Sequence, residues 1–189
     1  MEAFLISTGI VALAEIGDKT QLLALMLAGR YRKPVPIVLG IFVATLLNHF
    51  AAAAVGHWLM SKIGPDLMRW GLGLSFLAMA GWMLIPDKLD EDSRLMERFG
   101  VFGTTCIAFF IAEMGDKTQL ATVALSARFP DALLQVVAGT TLGMMLANVP
   151  AVLLGEVAAK KLPQKLVHTI AALLFAGLGV VTLLTPLQI

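Results

Sequence analysis

Nine residues of this chain occur twice. Ala14-Glu15-Ile16-Gly17-Asp18-Lys19-Thr20-Gln21-Leu22 returns 98 positions later as Ala112-Glu113-Met114-Gly115-Asp116-Lys117-Thr118-Gln119-Leu120, with Met for Ile the single change. Each copy puts two acids and a lysine near the middle of a long apolar stretch, and no other feature limits the fold as much. Insertion into a bilayer costs roughly 2.5–3.5 kcal/mol for an Asp or Lys at the centre of a spanning helix. Groups kept at that cost, twice, in the same order, point to a shared intramembrane site.

The apolar stretches run approximately over 3–28, 35–60, 67–86, 100–127, 132–159 and 166–186. A helix needs about 20 residues to cross the hydrocarbon core, and each stretch supplies them. With 58% hydrophobic residues, 14% charged residues and a mean hydropathy of +0.85, the chain lacks the polar surface of a soluble domain. The net charge of +1, with no basic run, gives nucleic acid nothing to bind. The expected fold class is therefore an all-α membrane protein of six transmembrane helices. Residues 87–98 form the longest polar break and are expected to be a cytoplasmic linker between repeats over 1–86 and 99–189.

Three spans per half is an odd number, so the second half must enter the membrane from the opposite side. The plan is an inverted-topology repeat, common in secondary transporters, with the site near mid-membrane where the halves meet. Other matches extend the repeat at an offset of 99: Gly40 with Gly139, Gly56 with Gly155, Leu67 with Leu166, Phe76 with Phe175. Arg30, Arg32, Lys33, Lys88, Arg94, Arg98, Lys160, Lys161 and Lys165 fall on one side, against Lys62, Arg69 and Arg128 on the other. The positive-inside rule puts the first set in the cytoplasm and both termini outside. Met1-Glu2-Ala3 lacks the basic start of a cleavable signal, so the first apolar segment is expected to stay as a span. A multi-pass membrane protein fits this pattern.

The candidate metal ligands are Glu15, Asp18, Glu113 and Asp116. Four carboxylates against Lys19 and Lys117 leave two negative charges in excess, which one divalent cation cancels. The bland alternative is neutralisation within each helix. Glu15 and Lys19 are four apart, as are Glu113 and Lys117, so both pairs are expected to meet. That pairing still leaves the two aspartates. Glu15, Asp18 and Gln21 step along one side of a regular helix, as do Glu113, Asp116 and Gln119. Thr20 and Thr118 would point away unless Gly17 and Gly115 break the helix. Whether they do is not readable from the pattern. Every polar group except lysine offers oxygen, which suits Ca²⁺, Mg²⁺ or Mn²⁺ over Zn²⁺ or Cu⁺. Met114 is either a soft contact favouring Mn²⁺ or, as most apolar residues here, packing.

A supporting polar shell is expected from Lys19, Thr20, Gln21, Lys117, Thr118, Gln119, Asn48 and Asn148. The lysines read either as internal counter-ions that exchange partners or as anchors of the acids. The two asparagines sit 100 apart in the second span of each half; strict alignment pairs Asn148 with His49 instead. His49 reads more simply as a packed histidine than as a proton relay. Glu156 is a weak gate candidate, Gly139 and Gly143 a helix-packing face, and Pro150 a kink. Cys106 excludes an intramolecular disulfide and is expected to be a buried thiol.

The duplicated Glu-φ-Gly-Asp-Lys-Thr segment in a six-span chain resembles the Gdt/MneA family of cation transporters, over essentially the whole length, and looks most like its bacterial MneA-type manganese exporters. The resemblance implies transport of Mn²⁺ or Ca²⁺ in exchange for protons, with the four acids as cation-binding residues, and both motifs are complete. No cofactor is expected beyond the transported ion. Partners are the metal, protons and the lipid bilayer, with a homo-oligomer left open. The expected function is export of a divalent cation by alternating access. An amine or amino-acid exporter and a cation channel are the alternatives. An enzyme is disfavoured, because no His-Glu-x-x-His pair or Ser/His dyad is present.

Overall fold

A computed structural model describes residues 1–63, 65–84, 99–154 and 164–185, and the described residues fold as α-helix with short connections. The expected linker 87–98, Gly155 and Glu156 lie outside them. The helices are α1 (Glu2–Glu15), α2 (Lys19–Tyr31), α3 (Pro34–Lys62), α4 (Pro65–Trp82), α5 (Gly100–Glu113), α6 (Lys117–Arg128), α7 (Leu133–Leu154) and α8 (Gln164–Leu184). A single 3₁₀ turn, Pro130–Ala132, leads into α7.

The stretches 3–28 and 100–127, expected as single spans, are each two helices. The break falls at the same place in both copies. Ile16 and Met114 turn to extended backbone, Gly17 and Gly115 take φ of 84° and 74°, and Asp18 and Asp116 are extended again before the next helix starts. Positive φ costs a residue with a Cβ about 1–2 kcal/mol and glycine almost nothing, so the glycine of each repeated segment permits the interruption.

The remaining expected stretches are helical over most of their described residues. Pro34 opens α3, where its missing N–H is no loss. Arg32, in left-handed conformation at φ 51°, closes α2 by donating its N–H to Ala28 O at 3.0 Å. Pro150 lies inside α7, which continues to Leu154. Among the described residues two helices are long and apolar enough to cross a membrane by themselves: α3, and α7 with its preceding turn. The segments α5 and Thr169–Leu184 of α8 are apolar but shorter.

Helices of the two halves interleave. The first, α1, packs along α7; α5 packs along α3; α4 packs along α8. Glycine makes each approach close. A Cβ on Gly139 would lie 2.5 Å from Phe4 O, and one on Gly143 2.7 Å from Thr8 O, so the small-residue face is a helix-packing face. On the other side a Cβ on Gly40 would lie 2.9 Å from Phe102 O. Phe76 of α4 and Phe175 of α8 meet with ring centroids 6.3 Å apart. They sit in a core with Met68, Leu72, Met79 and Ala171. A second core around Ile37, Ile41, Ala44 and Phe109 holds α3 to α5. Cys106, expected to be buried, is partly exposed at the edge of this second core.

Candidate cation site

The two breaks place four helix ends beside one another. At each break one helix ends on a glutamate and the next begins at an aspartate N-cap. Carbonyls at the ends of α1 and α5 attract cations, and N–H groups at the starts of α2 and α6 attract the aspartates. Such interrupted backbone is tolerated inside a membrane only where protein surrounds it or a cavity adjoins it.

Carboxylate oxygens of Glu15, Glu113 and Asp116 all lie within 4.8 Å of one another, and all three residues are buried. One oxygen of each glutamate is occupied by a threonine. The hydroxyl of Thr20 donates to Glu15 Oε2 at 2.5 Å, and that of Thr118 donates to Glu113 Oε2 at 3.0 Å. The same Thr118 hydroxyl lies 3.4 Å from Asp116 Oδ2. On a regular helix both threonines would point away; the breaks bring them in. The other glutamate oxygens, Glu15 Oε1 and Glu113 Oε1, are buried with no hydrogen-bond partner among the described residues. Two orphaned, buried carboxylate oxygens are costly by themselves and suit a cation.

Each lysine pairs with an acid of the other half. Lys19 Nζ is 3.0 Å from Asp116 Oδ1, and Lys117 Nζ is 3.5 Å from Asp18 Oδ1. The i, i+4 geometry expected for Glu15 with Lys19, and for Glu113 with Lys117, requires an unbroken helix between them. The turn at each glycine removes it, and each ammonium reaches the aspartate of the other half. The two pairs differ in one respect: the Lys19 side chain is 25% exposed, whereas Lys117 is 2% exposed.

Each glutamine braces its own break. Gln21 Oε1 accepts the N–H of Gly17 at 3.0 Å, and Gln119 Oε1 accepts that of Gly115 at 2.7 Å. Their amides reach across to the other half: Gln21 Nε2 donates to Ala147 O at 3.0 Å, and Gln119 Nε2 to Asn48 Oδ1 at 3.4 Å. Asn48 also donates to Phe110 O at 3.0 Å. The repeated segment thus had a signal for this brace, a glutamine four residues after each glycine. Positions 48 and 147, the two glutamine partners, are 99 apart, so His49 corresponds to Asn148. Asn148 is turned back on α7, donating to Met144 O at 3.1 Å, and its buried Oδ1 has no hydrogen-bond partner among the described residues. Neither ring nitrogen of the buried His49 has one either. Met114 is exposed and does not line the acids. His57 lies near Pro130 O, 3.2 Å away, far in sequence from the acids.

The geometry of the breaks can be tested through Gly115. A Cβ there would meet nothing within 4 Å, so only its φ of 74° resists a side chain. Asparagine visits the left-handed region far more readily than a β-branched residue. Gly115→Val is expected to lower thermal stability in detergent by about 1–2 kcal/mol more than Gly115→Asn. Equal melting temperatures for the two variants would show that the turn is not set by this angle.

Broken helices that bring acids, lysines and orphaned oxygens together in an apolar helical protein suit a membrane transporter of cations. The chain belongs to the GDT1 family: residues 3–91 and 101–188 match its description, divalent cation/proton antiporter GDT1. It is 54% identical to a Vibrio cholerae protein described as a "putative manganese exporter", over 96% of this chain and 90% of that one. It is also 28% identical to GDT1-like protein 3 of rice, over 98% of this chain and 75% of the relative. A GDT1-like protein of Synechocystis is 27% identical, over 96% of this chain and 97% of its own length. No solved structure matches. The family consists of membrane antiporters rather than enzymes, in line with the sequence expectation.

Proposed function

We propose that this chain exports a divalent cation, Mn²⁺ first and Ca²⁺ second, from the cytoplasm by alternating access in exchange for protons. The observation that carries the reading is the convergence of Glu15, Glu113 and Asp116 around two orphaned carboxylate oxygens. The family's description supports a divalent cation and protons, and the Vibrio relative supports manganese. The ligand set supports a hard or borderline ion, because every candidate donor is oxygen.

The corresponding contacts of α1 with α7 and of α5 with α3 support two inverted three-helix repeats, over 1–86 and 99–189. They also support a site shared by both halves, with Asp18 as its fourth acid and Lys19, Thr20, Gln21, Lys117, Thr118, Gln119 and Asn48 around it. The reading leaves Asn148 in the outer shell, on its unpartnered Oδ1. The ion enters partly dehydrated from the cytoplasmic face. One repeat rocks against the other and opens the site outward. On release the carboxylates regain charge balance by taking protons, which return with them to the inside. The basic loops support both termini outside a bacterial cytoplasmic membrane.

The test is flux in proteoliposomes. Mn²⁺ loaded on the side carrying the basic loops is expected to leave faster when the opposite side is made acidic, with protons moving the other way. Mn²⁺ flux indifferent to an imposed pH gradient, with no proton movement, would remove the antiport. Competition by amino acids but not by Ca²⁺ would replace the metal as substrate.

A further inference from the structure

The two cross-pairs are chemically alike but not equally accessible, and this difference carries an inference that rests on the reading above. Lys117 and Asp18 are sealed, at 2% and 1% exposure, and lie 3.5 Å apart. Asp116 is equally sealed, but its partner Lys19 is 25% exposed. The helix that Lys117 opens is closely held. α6 packs against α1, α3, α4 and α7, and Gly56 of α3 lets its backbone come so close that a Cβ there would meet Val123 O at 2.1 Å. Among the described residues α2 packs mainly against α7, α5 and α3. Lys117 thus lies sealed at the start of a closely packed α6, whereas Lys19, at the start of α2, keeps a path to solvent.

We propose that the ion is held in turn by two overlapping sets of three carboxylates. In the conformation seen here the set is Glu15, Glu113 and Asp116, and in the conformation with the halves exchanged it is Glu15, Glu113 and Asp18. The aspartate left out is neutralised by the lysine of the other half. The charges close in both states. Here Asp18 and Lys117 cancel each other, and three carboxylates with Lys19 leave a charge that one divalent cation cancels. Lys19, partly exposed, can move off Asp116 as the ion enters. Lys117 cannot move so easily while α6 is packed. After the halves exchange, the roles of the two lysines exchange with them. Glu15 and Glu113, each fixed by its threonine, hold the ion throughout, so it need not be fully released to change sides.

The test uses purified full-length protein, Mn²⁺ as probe, and neutralisation of one aspartate with or without its lysine. Asp18→Asn should weaken equilibrium Mn²⁺ binding at least tenfold, because Lys117 then competes for the remaining carboxylates. Asp18→Asn with Lys117→Met removes a whole neutral pair and leaves the set seen here. It should recover most of the lost affinity yet carry no Mn²⁺ across proteoliposomes, since the second set is gone. The mirror pair, Asp116→Asn with and without Lys19→Met, should behave the same way and serves if the first pair does not fold. A site in which all four acids bind at once predicts the reverse: each double variant would bind no more tightly than its single parent. That result in either folded pair, or transport by a double variant, overturns the proposal. Wild-type protein that binds neither Mn²⁺ nor Ca²⁺ would instead overturn the function proposed above.

Discussion

Asp18→Asn and Asp116→Asn are each expected to abolish cation transport while the protein still inserts into the membrane. The two should differ in what else they lose. Neutralising Asp18 removes the carboxylate facing Lys117, whose side chain is 2% exposed. Breaking a buried ion pair from one side typically costs about 3–5 kcal/mol, and less where the ammonium can turn to another carboxylate, as Lys117 can. Lys19 is 25% exposed, so Asp116→Asn leaves an ammonium that can reach water, and its stability cost should be well below that range. Thermal unfolding of the two variants in the same detergent separates them, with Asp18→Asn melting lower. Mn²⁺ flux measured alongside should be lost in both. Transport retained by both variants would remove the acids from the site, and equal melting points would remove the difference between the lysines.

Gly56→Ala is expected to be the most damaging glycine-to-alanine change among those described. The new Cβ would lie 2.1 Å from Val123 O and 2.9 Å from Val123 C, both backbone atoms of α6. No rotamer change relieves a clash with backbone, so α6 must move away from α3. Overpacking of this kind costs typically about 1–3 kcal/mol and occasionally more. The displacement also reaches the site, because Asp116, Thr118 and Gln119 ride on the start of α6. Gly9→Ala and Gly29→Ala provide matched controls, since a Cβ at either position meets nothing within 4 Å. Folded yield and Mn²⁺ binding should fall for Gly56→Ala and stay near wild type for the controls. A Gly56→Ala protein as stable and active as the controls would show that α3 and α6 are not held this closely.

Much of this was legible from the chain because its signals are local. Apolar length announced the helices, and acids inside them marked the candidate site. Two other features could not be read in the same way. The interruption at Gly17 and Gly115 is a backbone angle, and a glycine in an apolar run is as compatible with a packed helix as with a turn. The partner of each lysine depends on that angle. Counting four residues along a continuous helix leads from Lys19 to Glu15, whereas the broken chain leads it to Asp116 in the other half. The asparagines show the same limit. The alignment already sets Asn148 against His49, but does not show that Gln21 and Gln119 reach across to positions 147 and 48.

The interleaving of α1 with α7 bears on how the protein is made. Synthesis delivers α1 first, but the backbone that Gly139 and Gly143 press against it comes more than a hundred residues later. Until then Phe4, Ser7 and Thr8 face lipid or the insertion machinery, and Asp18 lacks the ammonium it will meet in Lys117. The nascent first half is thus an incomplete object, apolar enough to stay in the bilayer and too polar at its centre to settle there. The contacts of α1 with α6, α7 and α8 are long-range in sequence, so the slow and vulnerable stage of biogenesis is expected late, once these helices have entered the membrane. A quality-control protease that surveys the bilayer would find its substrate in that interval.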